Sequence, residues 1–194
     1  YVFDGAANRP YRENDATGPQ SAYGRSKLAG EHAVAATASR HLILRTSWLY
    51  GNRRQNFFLT MLRLAAARDE LRVVADQIGS PTWVHSVSAV SGRCVMPLVS
   101  GFELRIPAGI YHLTAAGSTS WHGFASAIVA AMPPDQRRAA RVVPLTTAEY
   151  PTPARRPAYS VLSVEKIERA LGITIDSWQH QLGECLAERR QLKL

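Results

Sequence analysis

Tyr23-Gly24-Arg25-Ser26-Lys27 sets a phenol and an ammonium four residues apart. On a helix that spacing puts both side chains on one face, a turn apart. An ammonium beside a phenol favours the phenolate and draws its pKa down from about 10. Such a tyrosine can pass a proton to or from a carbinol oxygen while a hydride moves at the carbon, and the lysine can also hold ribose hydroxyls. The same spacing arises on any solvated helix face. The pair therefore needs an element that aims it and a cleft to aim it into.

The surrounding chain supplies candidates for both. Short apolar runs alternate with longer helical patterns, as in βα units that build a parallel sheet. Tyr1-Val2-Phe3 reads as the tail of a strand ended by Asp4-Gly5, and a helix is expected from about Pro19, with proline in its first turn, to Ala38. The run Leu42-Ile43-Leu44, within a strand from His41 to Trp48, predicts burial on both faces. Asn56 to Arg68 reads as an amphipathic helix with Asn56 as its N-cap. Further strands are expected at Leu71 to Ala75, Gly109 to Thr114 and Arg141 to Leu145, with Gly79-Ser80-Pro81 as a turn. Further helices are expected at His85 to Leu98, Ser118 to Met132, Ser163 to Leu171 with Ser163 as N-cap, and Ser177 to Arg190.

Composition narrows the class. The 194 residues are 46% hydrophobic and 20% charged, ordinary for a globular chain. No apolar run reaches the roughly 20 residues of a membrane span, and no basic-then-apolar leader is present, so a cytoplasmic protein is expected. The net charge is +8, and of the 23 cationic residues all but Lys27, Lys166 and Lys193 are arginine. These arginines are scattered, without a basic stripe interleaved with aromatics, which argues against nucleic acid and suits a phosphate-bearing small substrate. Cys94 and Cys185 lack CxxC spacing and read as buried free thiols.

Beyond the spacing, the ordered segments Tyr1-Val2-Phe3-Asp4-Gly5, Pro10-Tyr11 and Tyr23-Gly24 followed by Ser26-Lys27-Leu28-Ala29-Gly30-Glu31 resemble the extended short-chain dehydrogenase/reductase family. Arg45-Thr46-Ser47-Trp48-Leu49-Tyr50-Gly51, Asn56-Phe57, Asp76-Gln77, Tyr111-His112, Ser120-Trp121 and Tyr150-Pro151-Thr152-Pro153-Ala154-Arg155-Arg156-Pro157 look like its dTDP-4-dehydrorhamnose reductase branch. The resemblance implies an oxidoreductase using NADPH or NADH on the C4 keto group of a dTDP-sugar. Tyr23 would be the proton donor, with Lys27 its electrostatic partner, and Tyr23, Lys27 and Ser47 would meet the cofactor. Trp48, Asn56, Gln77 and Arg156 would meet the substrate, with Arg155 as plausible as Arg156 for a diphosphate. Some members of this branch bind magnesium through acidic residues. Where one would stand this chain has His85, a poor ligand for a hard cation, so no metal site is expected.

The fold this implies is α/β. Residues 1–52 and 83–114 would be the C-terminal part of a Rossmann-like parallel sheet, and residues 53–82 and 115–194 a small α+β substrate-binding domain. A dinucleotide site needs a glycine-rich first βα turn, and no such motif occurs here. The family's catalytic Ser or Thr also belongs ahead of Tyr1. The expectation is thus a C-terminal portion, inactive alone, whose bare sheet edge could pair two copies into a homodimer. Two rival readings share the pattern. One is a nucleotide-sugar epimerase or dehydratase. The other is a non-catalytic relative resembling the regulatory subunit of methionine adenosyltransferase, against which the Tyr23/Lys27 pair argues.

Overall fold

The computed structural model describes residues 1–99, 106–152, 154 and 156–192. The first half runs α1 (Ala22–Thr37), β1 (Leu42–Arg45), β2 (Leu49–Tyr50), α2 (Phe57–Ala67), β3 (Glu70–Val74), β4 (Ile78–Gly79), β5 (Thr82–Trp83) and α3 (Val84–Val99). The second runs β6 (Gly109–His112), β7 (Thr119–Ser120), α4 (Trp121–Ala130), β8 (Arg141–Leu145), α5 (Glu165–Leu171) and α6 (Trp178–Gln191). Strands β1 and β6, β2 and β5, and β3 and β8 pair in parallel, while β4 and β7 pair antiparallel. The α/β class and its parallel pairing are as the alternating pattern predicts.

Four helices open on a side-chain oxygen. Ser21, Asn56, Ser120 and Ser177 accept from the backbone N–H of Gly24, Leu59, Gly123 and His180. Each bond satisfies one donor that a first turn otherwise leaves unpaired. The Ser21 cap moves the start of α1 to Ala22 and leaves Pro19 outside the helix. Ser163 does not cap α5. Val164 holds that place without a side-chain bond, and Ser163 Oγ accepts only a long 3.4 Å bond from Glu165 N–H.

Tyr1-Val2-Phe3 is not a strand, because a strand is defined by a ladder and none is formed with these residues among those described. Instead Val2 O accepts from Gly18 N–H at 2.9 Å. Val2, Phe3 and Tyr11 form a small core, with Phe3 stacked on Tyr11 at 4.3 Å. The apolar run of β1 also departs from expectation, since Leu42, Ile43 and Leu44 are each only half-buried. Leu42 and Leu44 pack toward the core of Cys94, Tyr111, Leu113 and Ile167, and Ile43 and Leu44 also border an open cleft.

The largest core joins α2, α4 and α6 over β3 and β8. Phe58, Ala65, Phe124, Ala125, Ile128 and Cys185 are its most deeply buried members. Both cysteines are free and buried, as their setting predicts. No helix of the described residues is long and apolar enough to cross a membrane.

Beside Arg45, at the end of β6, lies a buried histidine, His112, whose backbone N–H donates to Glu13 Oε1 at 2.9 Å. Burial pushes its pKa from 6.5 to about 4, with Arg45 reinforcing the shift and Glu13 opposing it. The folded value lies below the unfolded one, so between about pH 4 and 6.5 the unfolded chain binds the extra proton. The stability tied to this histidine is whole above that window and is lost as pH falls through it. The urea midpoint should therefore drop from about pH 7.5 to about pH 5, and less so in His112→Gln. Equal drops in both proteins would remove His112 as the cause.

Candidate active site

Helix α1 carries the candidate pair. Tyr23, Lys27 and Glu31, spaced four and four, line up along the face that borders a cleft of about 490 Å³. The Tyr23 ring is 63% exposed, so its phenol is open to a small molecule. Lys27 Nζ stands 5.3 Å from the centre of that ring. The opposite side comes from the end of β1, which delivers Arg45, Thr46, Ser47 and Trp48, and from Pro157, Tyr159 and Ser160. Ser47 Oγ donates to Ser80 O at 3.1 Å, which fixes the hydroxyl and leaves its lone pairs available.

Trp48 is held hard. Its backbone sits at φ 46°, a left-handed conformation that a non-glycine residue adopts at a cost of order 1 kcal/mol or more. Its indole stacks on Trp121 at 3.5 Å, with the planes 6° apart. Gly79 closes in on the six-membered ring, where a Cβ would come within 2.5 Å of Cε2. The Trp48 indole N–H is buried, with the Tyr1 phenol as its polar neighbour. The Tyr1 phenol, beside it in the same wall, is pushed above its usual pKa by burial and stays a neutral donor.

Arg156 borders an adjoining cleft with Tyr1, Gln20, Ser21 and Tyr23. Its Nη1 donates to Thr152 Oγ1 at 3.3 Å. Arg155 lies outside the described residues. Two further candidates are not brought to this cleft. Asn56 borders a separate one with Arg53, Arg54 and His85. Its amide is engaged at both ends, Oδ1 capping α2 and Nδ2 donating to the carbonyls of Gly51, Arg53 and Arg54. Gln77 is buried, and its Nε2 donates to Thr147 Oγ1 at 3.0 Å. The His85 ring lies against Trp83, 4.7 Å between centres. Among the described residues no three His, Cys, Asp or Glu side chains gather as a metal site would require.

Spacing and composition do not single out Glu31, Arg45, Trp121 and Tyr1 as contributors to this site. Arg45 and Glu31 form a bidentate pair at 2.9 and 2.7 Å, their side chains only 7% and 10% exposed. Arg45 also stacks over Phe3 at 5.1 Å. Glu31 continues the four-residue spacing of Tyr23 and Lys27, which is the signal that could have flagged it. An ammonium, a phenol and a hydroxyl around one cleft fit the hydroxyl-rich ribose and carboxamide end of a nicotinamide cofactor. A cradle for its pyrophosphate is not among the described residues.

A parallel-paired α/β fold with such a tyrosine–lysine pair on a helix beside a strand's end is Rossmann-like in class. Within that class the chain belongs to the RmlD substrate binding domain family, whose model matches residues 1–191. It is 46% identical to the dTDP-4-dehydrorhamnose reductase of Burkholderia thailandensis over 97% of this chain and 65% of that protein. The crystal structure of a Clostridium acetobutylicum dTDP-4-dehydrorhamnose reductase superposes with a TM-score of 0.85 at 38% identity, over 98% of this chain and 63% of that one. The Bacillus anthracis enzyme, solved in complex with NADP, gives 0.84 at 36% identity, over 96% and 62%. The chain thus spans a little under two thirds of the length of these relatives.

Proposed function

We propose that this chain forms the sugar-binding and proton-donating part of a reductase that uses NADPH or NADH to reduce the C4 keto group of dTDP-4-dehydro-L-rhamnose, giving dTDP-L-rhamnose for cell-surface polysaccharide. The observation that carries the reading is the exposed Tyr23 phenol beside Lys27, facing Ser47 and Trp48 across one cleft. The nicotinamide, when bound, supplies the hydride to C4. Tyr23 O–H gives its proton to the C4 oxygen as negative charge grows there. Lys27 steadies the phenolate left behind and, with Ser47, holds the ribose end. Trp48, fixed by Trp121 and Gly79, orients the deoxysugar through its ring edge.

Arg156 takes the substrate's diphosphate, for which a planar guanidinium is suited. Asn56 and Gln77, already engaged elsewhere, are assigned to the fold. We divide the chain at 1–52 with 83–114 and 53–82 with 115–194. The β1–β6 pair supports the first unit and the β3–β8 pair the second. Without a glycine-rich turn, the 194 residues alone are not expected to turn over. The edge of β1 away from β6, unpaired among the described residues, is where a further strand or a second copy would add.

The test is made on the complete protein that carries this chain. Supplied with NADPH and dTDP-4-dehydro-L-rhamnose, it should consume one cofactor per dTDP-L-rhamnose formed, measured by absorbance and mass spectrometry. An isomerised or dehydrated sugar without net cofactor consumption would place it instead with the epimerases or dehydratases.

A further inference from the structure

Helix α1 carries the pair on which the proposed reaction depends, and among the described residues few contacts anchor it. Of its sixteen residues only Gly24 is buried. Gly24 fits because a Cβ there would come within 2.9 Å of Pro19 Cβ. Leu28 packs against the small core of Val2, Phe3 and Tyr11. A further hold is Glu31, two turns beyond Tyr23, whose carboxylate takes two bonds from the Arg45 guanidinium at the end of β1. Both side chains are nearly withdrawn from water and both line the cleft. Arg45 is itself fixed by Phe3 beneath it and by His112 Nε2 at 3.5 Å. Two residues on from Arg45 the backbone presents Ser47 and then Trp48.

We infer that the Glu31–Arg45 pair is a positioning device for the reaction. It ties the helix bearing Tyr23 and Lys27 to the strand end bearing Ser47 and Trp48, and so sets the gap that the reacting carbonyl must fill. The inference rests on the reductase reading above. Neither residue touches substrate in this role. A buried bidentate fork suits the task because it fixes both distance and angle, which a point charge does not. Cutting it lets α1 drift, and a misplacement of about 1 Å at reacting groups can cost about a hundredfold in rate.

The experiment has two arms. In the complete protein, Glu31→Gln should lower kcat about a hundredfold while KM for the sugar nucleotide stays within about twofold. Arg45→Lys, which keeps the charge and loses the fork, should lower kcat about tenfold and still melt cooperatively. In parallel, hydrogen–deuterium exchange should show the amides of α1 opening about tenfold faster in both variants, with those of α6 unchanged. Unaltered exchange in α1, or faster exchange with kcat within about threefold of the parent, would overturn the inference. If the parent protein reduces no keto sugar, the reductase reading falls, and the exchange arm alone decides whether the pair anchors the helix.

Discussion

Replacing Tyr23 by phenylalanine should lower kcat for keto-sugar reduction by about 10²–10⁴-fold, the range a positioned general acid supplies, and leave the sugar nucleotide bound. The size follows from what the cleft offers in the phenol's place. Lys27 stands 5.3 Å from the Tyr23 ring centre on the same helical face, an electrostatic partner rather than a substitute donor. The Tyr1 phenol is held in the opposite wall and kept neutral by burial, so it is a poor stand-in for an acid that must release its proton. Ser47 already gives its hydrogen to Ser80 O. Removing one oxygen from an exposed ring costs little in packing, so the variant should fold and melt like the parent. Binding should persist because, on the proposed reading, Trp48 and Arg156 rather than the phenol hold the sugar and its phosphates. Cofactor oxidation and equilibrium binding of the sugar nucleotide are the two measurements. Full turnover in Tyr23→Phe would remove this residue from the reaction, whatever the fold.

Much of this arrangement is readable from the chain, and the exceptions share a physical cause. Helices α2, α4 and α6 are legible because Asn56, Ser120 and Ser177 stand at the start of apolar-periodic segments and cap them. Strand β8 is legible as an isolated β-rich run between polar stretches. The four two-residue strands are not, since a pair so short is set by what lies beside it. The unpaired Tyr1-Val2-Phe3 segment is the converse, strand-like in composition and without a ladder among the described residues. Helix α1 is recognisable from its Tyr-x-x-x-Lys spacing and not from amphipathicity, for nearly all of its surface is exposed. In the site, Tyr23, Lys27, Ser47 and Trp48 share one cleft because the first half of α1 and the chain just beyond β1 border it together. That Asn56 and Gln77 point elsewhere depends on backbone carbonyls and on Thr147, partners that sequence spacing does not reveal. Glu31 and Arg45 lie fourteen residues apart on different elements, and only tertiary packing joins them.

The largest effect on stability is expected from Phe124→Ala. Phe124 is 1% exposed and sits where three helices meet. Its ring lies 5.0 Å from that of Tyr50, 5.7 Å from Phe57 and 6.1 Å from Trp178, the last edge-on. Truncation removes the transfer free energy of a phenyl ring and leaves a cavity lined by large rings on separate elements, which cannot all move in to fill it. The cost for such a site is about 3–5 kcal/mol. For a chain of this size that lowers the melting temperature by about 10 °C. The urea midpoint should fall with the slope unchanged, as it does when stability alone is altered. The loss should also reach the cleft. Phe124 lies in the first turn of α4 beside Trp121, and Trp121 is the ring on which Trp48 rests. The sugar-nucleotide KM should therefore rise in the folded fraction of this variant, whereas an exposed change such as Val34→Ala should move stability by no more than about 0.5 kcal/mol. A destabilisation below about 1.5 kcal/mol for Phe124→Ala would mean that the neighbouring rings collapse into the gap. In that case the α2–α4–α6 core could not be the rigid platform that holds the Trp48 wall in place.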